Sequence, residues 1–205
     1  MKTTQKSVVA TLEEPKEKIR QVILDKAFSR FSRYGFGKTT MAEIAKDCEM
    51  SPGNLYRYFI SKKVIGAGCA SRVLWQRLEL VKKIINNKNL SPEQKLKSSV
   101  LEVLNYIHYH FSEQPALMEL VDFISRERWG IVQECMENEK LLISEILLEG
   151  KNAGNFNIQD VLETSTWVQA ALTKFFSPRY MDGFKLEELR REAGGVVNTL
   201  IQGMK

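Results

Sequence analysis

Apolar and polar residues follow no sustained period over the first 15 residues, which end at Pro15 and are expected to form a flexible arm. The pattern then turns helical. Ile19, Val22, Ile23, Ala27, Phe28 and Phe31 recur every three or four positions, one apolar stripe on a helix running to about Tyr34. Gly35, just past the last periodic residue, is a helix stop. A short second helix follows, with Thr39 or Thr40 as its cap, Met41, Ile44 and Ala45 as its apolar face, and Glu43 near the positive end of the helix dipole. Cys48-Glu49-Met50 leads into Ser51-Pro52, a cap followed by proline at the first helical position, which opens a third helix. Leu55 and Phe59, four apart, give that helix its buried face.

Beyond Lys62-Lys63 a long helix carries Val64, Ala67, Val73, Leu74, Leu78 and Val81 to about Ile85, and Asn86, Asn87 and Asn89 interrupt it. Ser91-Pro92-Glu93-Gln94 reads as a capping box with proline at the first position, followed by Leu96, Val100, Val103, Leu104, Ile107 and Phe111 at helical spacing. Pro115 opens another helix through Leu117, Leu120, Val121 and Ile124, a longer one spans about 131–149 and ends near Gly150 or Gly154, and two more cover about 160–176 and 186–202. No strand pattern competes with helix and no repeat period is visible, so the expected fold is all-α.

Composition refines this picture in one respect. The chain's 43% hydrophobic and 27% charged residues are ordinary for a folded globular protein. Its net charge of +5 is uneven: residues 1–65 hold 13 basic and seven acidic side chains, residues 66–205 hold 17 and 18. A basic first third on a near-neutral body suggests that one end meets a polyanion, most simply nucleic acid, although a solvated helical surface would look alike. No run approaches the roughly 18 apolar residues of a membrane span, and the N-terminus lacks the features of a signal peptide, so no membrane partner and a cytoplasmic location are expected. Cys48, Cys69 and Cys135 are odd in number and far apart, which fits reduced thiols; Cys135 reads as a small hydrophobe or as a redox trigger.

Two short helices joined by about four residues, the second opened by a cap and rich in polar and aromatic groups, match a helix-turn-helix. In that geometry the second helix enters the major groove N-terminus first, presenting Ser51, Gly53, Asn54, Tyr56, Arg57 and Tyr58. Arg and Asn can pair bidentately with guanine and adenine, while hydroxyls, lysine and helix-start amides suit phosphate. Tyr56 and Tyr58 can also pack against the first helix.

Gly35-Phe36, Thr39-Thr40-Met41, Ile44-Ala45 and the run Ser51-Pro52-Gly53-Asn54-Leu55-Tyr56-Arg57-Tyr58-Phe59 followed by Lys62 resemble the DNA-binding domain of the TetR family, over about 45 of 205 residues between Ile19 and Lys63. One departure is Cys48-Glu49-Met50, where the family usually has an Ala-Gly-Val-like turn; a non-glycine residue there implies some backbone strain. The resemblance implies an arm at 1–15, a three-helix helix-turn-helix domain at 16–63 and a larger helical effector-binding and dimerisation domain at 64–205. It implies that Thr40, Tyr56, Tyr58 and Lys62 contact phosphate, that Gly53, Asn54 and Arg57 approach base edges, and that Thr39 and Ser51 belong to the same surface. It also implies a homodimeric repressor that holds a roughly palindromic double-stranded operator until a small-molecule effector binds.

Two further sets of residues follow. The middle of the chain is rich in aromatic residues, and Tyr106, His110, Met118, Phe123, Trp129 and Trp167 are candidates to line an effector pocket, although ordinary core accounts for each equally well. The last two helices resemble the family's dimer bundle. Gly194-Gly195 inside the final helix asks for a reason, either a kink or close approach of a partner, and the interface candidates are Ala193, Gly194, Val197, Leu200 and Ile201. Arg126 and Arg128 fit an anionic ligand or a solvated face. No phosphate-cradling glycine loop, His-Glu-x-x-His or nucleophile elbow occurs, and His108 and His110 project to different faces of a helix, so no catalytic residue, metal or cofactor is expected. The competing reading is a helical carrier or enzyme that keeps the reader's shape without reading DNA.

Overall fold

The computed structural model describes residues 4–111 and 114–205, with side chains from Pro15 onward. Among these residues it is all-α, with no strand. The reading head consists of α1 (Thr4–Tyr34), α2 (Met41–Asp47) and α3 (Pro52–Tyr56). The larger part consists of α4 (Lys62–Ile85), α5 (Pro92–Phe111), α6 (Met118–Glu127), α7 (Trp129–Asn152), α8 (Val161–Phe176) and α9 (Leu186–Gly203), with single 3-10 turns at Pro115–Leu117 and Pro178–Tyr180. None of the described helices is long and apolar enough to cross a membrane.

The arm expected over residues 1–15 needs correcting. Residues 1–3 lie outside the described residues, but from Thr4 the backbone is already helical, with Pro15 inside α1. Amphipathic periodicity reports the face a helix buries rather than helicity itself, so a helix can continue past its periodic part. The other starts follow their caps. The Ser91 hydroxyl accepts from Gln94 N–H at 3.2 Å and the Gln94 side chain accepts from Ser91 N–H at 2.9 Å, the reciprocal box that opens α5. Asp160 caps α8 by accepting from Glu163 N–H at 2.9 Å.

Two apolar cores organise the helices. One joins Leu78 and Val81 of α4 to α5, α7, α8 and α9, and it includes Leu189, Ala193, Val197 and Ile201, spaced four apart on the face of α9 turned inward. The other is the core of the reading head: Ile23, Ala27 and Phe31 of α1, Phe36, Ile44, Leu55 and Phe59. It is completed from outside 16–63 by Ile65 and Cys69 of α4 and by Leu117, Leu120, Phe123 and Ile124 in and before α6. A three-helix head of this size is marginal by itself, and here neighbouring helices close its core. The boundary expected at residue 63 is therefore a change of role along the chain rather than a gap in packing.

The α2–α3 turn carries the strain expected of a missing glycine. Glu49 has φ of 55°, the left-handed region, while its N–H donates to Lys46 O at 3.1 Å and Met50 N–H donates to Ala45 O at 3.0 Å. These two bonds make the double-bonded helix stop that usually places glycine at this position. An L-residue in that conformation costs about 1–2 kcal/mol, and the exposed Glu49 side chain has no packing to compensate. Glu49→Gly is expected to stabilise the protein by about 1 kcal/mol, raising the melting temperature by roughly 2–4 °C, whereas Glu49→Val should lower it. Differential scanning calorimetry of the three proteins checks this; equal melting temperatures would show that the turn bears no strain.

Candidate DNA-reading head and effector cavity

The reading head is held by the loop after α1. Thr39 is only 2% exposed and its hydroxyl donates to Gly35 O at 2.9 Å, so the expectation that Thr39 faces DNA is corrected: its oxygen is committed to the end of α1. The Lys62 ammonium donates to Phe36 O at 2.6 Å and Gly37 O at 2.9 Å and lies 4.8 Å over the Phe36 ring. Burial lowers its pKa against the opposing pull of Glu119 and Glu43. In this conformation Lys62 clamps the loop, in place of the phosphate contact the resemblance implied. From α6, the Glu119 carboxylate accepts from Gly37 N–H at 2.7 Å.

Thr40 is exposed and caps α2: its hydroxyl accepts from Glu43 N–H at 3.3 Å, and its own N–H donates to the Glu43 carboxylate at 2.8 Å. The bonds the Glu43 carboxylate accepts from Thr40 N–H and, at 2.9 Å, from the Thr40 hydroxyl hold that carboxyl below its ordinary pKa. Losing such a cap costs typically about 1 kcal/mol. Ser51 caps α3, accepting from Asn54 N–H at 3.2 Å. Leu55 and Phe59 are buried, while Ser51, Gly53, Tyr56 and Arg57 are exposed and Asn54 is half-buried. Tyr58 is half-buried against the head's core, and its carbonyl accepts from Arg20 at 2.5 Å, so it packs as well as presents. Arg57 makes no ion pair among the described residues. Basic groups missed in the sequence lie beside this surface: Arg33 and Lys38 flank an open crevice between α1 and α2.

A cavity of about 420 Å³ lies where the two cores meet, walled by Leu120 and Ile124 of the head's core and Ile107 of the other. Of the six expected lining residues, it brings in Tyr106 and Trp129. The Tyr106 hydroxyl donates to Gln76 at 2.8 Å, and burial pushes its pKa up to about 12. The other four are corrections. His110 packs against Tyr106 with ring centroids 4.4 Å apart and the rings tilted by 60°, beside the cavity rather than in its wall, and burial lowers its pKa. Phe123 stacks on Phe36 at 4.6 Å in the head's core. Met118 is half-buried at the start of α6, outside the wall, and Trp167 is 59% exposed on the outer face of α8. Missed were Phe28, Val121 and, above all, Arg77 and Glu139. Amphipathic spacing places such residues inside but says nothing of a void between helices.

Arg77 and Glu139 are 6% and 4% exposed, with N···O 3.1 Å apart. Breaking a buried pair by removing one partner costs about 3–5 kcal/mol, because the other charge is left uncompensated. The Arg77 guanidinium also donates to the Cys135 sulfur at 3.3 Å, and burial raises that thiol's pKa, which favours the small-hydrophobe reading of Cys135. Among the described residues no cluster of three or more His, Cys, Asp or Glu is placed to hold a metal.

The sequence profile of the bacterial regulatory proteins of the tetR family matches residues 23–65. The tetracyclin repressor-like C-terminal domain matches residues 92–197, more than half of the chain. The chain belongs to the TetR family. Over 46 residues, 22% of its length, this TetR-family regulator is 46% identical to the HTH-type transcriptional regulator UidR of Escherichia coli K12, and the match spans 24% of UidR. A transcriptional regulator from Cytophaga hutchinsonii superposes with a TM-score of 0.74 at 21% identity, covering 90% of this chain and 97% of that one. SmeT, the repressor of the Stenotrophomonas maltophilia multidrug efflux pump SmeDEF, superposes at 0.66 with 18% identity over 90% and 89% of the two chains. Its complex with triclosan superposes at 0.69 with 16% identity over 92% of each. At these identities the structural likeness establishes the fold.

For a DNA-binding regulator of the TetR family, Gly53 gains a meaning. A Cβ placed there would meet nothing within 4 Å, so nothing inside the protein requires glycine on α3. Alanine should stabilise the helix by up to about 1 kcal/mol. Gly53→Ala is thus expected to raise the melting temperature yet weaken binding to operator DNA severalfold or more, through loss of close approach at the groove. Calorimetry and fluorescence anisotropy with labelled operator check the opposite signs; undiminished operator affinity would remove Gly53 from the contact surface.

Proposed function

We propose that this TetR-family regulator is a homodimeric repressor, working in the cytoplasm, that holds a roughly palindromic operator and releases it when a small molecule fills the cavity. One observation carries the reading: α6 lines the cavity through Leu120, Val121, Ile124 and Ser125, while Glu119 in its first turn holds Gly37 N–H and Phe123 stacks on Phe36. A ligand that resets α6 bears directly on the loop that orients α2 and α3. The release is then a population shift, with the ligand bound better by a state whose two heads no longer match successive major grooves, about 34 Å apart. SmeT, a repressor also solved in complex with triclosan, supports the reading of a repressor that takes a small molecule. On this reading the chain has no catalytic role.

The presentation surface consists of Thr40 at the start of α2 and Ser51, Gly53, Asn54, Tyr56, Arg57 and Tyr58 around α3, with Gly53, Asn54 and Arg57 at the base edges and the rest positioning the head on phosphate. Selection from a random DNA library should recover a palindrome, and its absence would defeat the operator reading. Against that palindrome, Arg57→Ala should cost about 1–3 kcal/mol per half-site and relax base preference at one position per half-site. Unchanged affinity and sequence preference would place the reading surface elsewhere.

The dimer reading rests on the outward faces of α8 and α9. Ala193, Val197 and Ile201, expected at the interface, are buried in the chain's own core because α9 turns that face toward α5, and Leu200 packs half-buried against the same core. Outside, Leu162 and Trp167 of α8 are exposed, and Gly194 and Gly195 of α9 leave open space where a Cβ would stand. A second copy seated on this face would cover exposed apolar side chains and use the glycines for close approach. A Cβ at Gly194 meets nothing within 4 Å in one chain, so Gly194→Leu is expected to shift dimer to monomer in analytical ultracentrifugation through the partner. An unchanged dimer would exclude Gly194 from the interface.

A further inference from the structure

The crevice between α1 and α2, about 510 Å³ in volume, holds three cations against one carboxylate, and the cations are of two kinds. Arg30 is engaged inside the protein: its guanidinium donates to the Asp47 carboxylate at 2.7 Å and stands 3.6 Å from Glu43, whose carboxylate is also held by Thr40. Arg33 and Lys38 are exposed and make no ion pair or hydrogen bond among the described residues. Arg33 lies only over the Tyr34 ring, 6.0 Å from its centroid, an approach that leaves its N–H groups free. Lys38 stands on a backbone pinned on both sides, since Gly37 N–H donates to Glu119 and the Thr39 hydroxyl donates to Gly35 O. Two free cations therefore line one crevice, on a helix end and a loop that are fixed before any partner arrives.

We propose that Arg33 and Lys38 grip the sugar–phosphate backbone of DNA beside the major groove that α3 enters, and supply the phosphate contact that Lys62 does not. The inference rests on the docking of the head proposed above and adds contacts outside α3. In a helix-turn-helix the first helix crosses the backbone while the second lies in the groove. Here α2 is that first helix: Glu43 in its first turn lines the crevice, and the exposed cap Thr40 follows Lys38 by two residues. Cations at that place meet phosphates rather than base edges. The Lys62 ammonium, by contrast, is held on Phe36 O and Gly37 O. Phosphate contacts fix register and orientation without carrying sequence information, so the pair sets affinity and salt response and leaves base preference to α3.

Fluorescence anisotropy of the full chain with a labelled random-sequence duplex, from about 0.05 to 0.2 M salt, tests this without a known operator. Arg33→Gln/Lys38→Gln should weaken binding about tenfold or more at about 0.1 M salt and flatten the log–log salt slope by about two per bound head. An operator recovered by library selection should lose affinity by the same factor and keep its preferred bases. Arg33→Lys/Lys38→Arg should keep the slope. Lys83→Gln/Lys88→Gln removes the same charge roughly 30 Å along α4 from its start, several screening lengths away, and should leave the slope unchanged. An unchanged slope in the first variant, an equal flattening in the last, or a change in preferred bases would each overturn the proposal. Should the first variant not fold by circular dichroism, Arg33→Gln and Lys38→Gln singly should each give half the shift, and no shift in either would refute the contact. Calorimetric titration with inorganic phosphate addresses the other source of the same chemistry: binding lost in the double variant while its DNA slope stays intact would overturn the proposal in favour of a small-anion site. If the slope flattens as expected but Arg57→Ala leaves base preference unchanged, the inference stands and the reading surface on α3 fails.

Discussion

Backbone groups that leave a helix need new partners, and the turn just after α1 governs the geometry of the reading head. Gly35 O goes to Thr39, Phe36 O and Gly37 O go to Lys62, and Gly37 N–H goes to Glu119. Each partner comes from a different place: the start of α2, the start of α4 and the first turn of α6. Satisfying four backbone groups therefore fixes where α2 begins, and with it the aim of α3. The cations and hydroxyls that sequence alone assigns to DNA are partly used up in this task, which is why Thr39 and Lys62 face inward.

The same junction explains why the cavity lies where it does. Phe36 is gripped edge-on by Phe31 at 5.1 Å and face-on by Phe123 at 4.6 Å. Gly66 on α4 makes room for it, since a Cβ there would come within 2.7 Å of the Phe36 ring. Behind this tight junction, the space between the two cores is lined by Tyr106, Trp129 and the Arg77–Glu139 pair among others. Close packing at one end and a void at the other come from the same helices.

Local signals were well read in the sequence. Ser51-Pro52 and Ser91 with Gln94 announce helix starts by chemistry that acts within four residues, and the structure has each cap. The strain at Glu49 was legible for the same reason, because a helix stop fixes its own backbone angles. What failed was long-range. Phe123 and Trp167 have the same apolar character as Tyr106, yet one fills a core, one faces solvent and one lines the cavity, a difference set by which helices cross where. Arg77 and Glu139 lie 62 positions apart, and no period links them. Ala193, Val197 and Ile201 mark the buried face of α9 correctly, but periodicity does not say whether the neighbour is α5 or a second chain.

The shared core also bears on engineering by recombination. A reading head cut at residue 63 and grafted onto a different sensing domain would leave Phe31, Phe36 and Ile44 without Leu117, Leu120 and Phe123 to close over them. Specificity is thus not exchangeable as a cassette at the sequence boundary. A working hybrid must carry across the matching face of α6 with Glu119, or else confine the swap to the exposed positions of α3, which change what is read without disturbing how the reader is held.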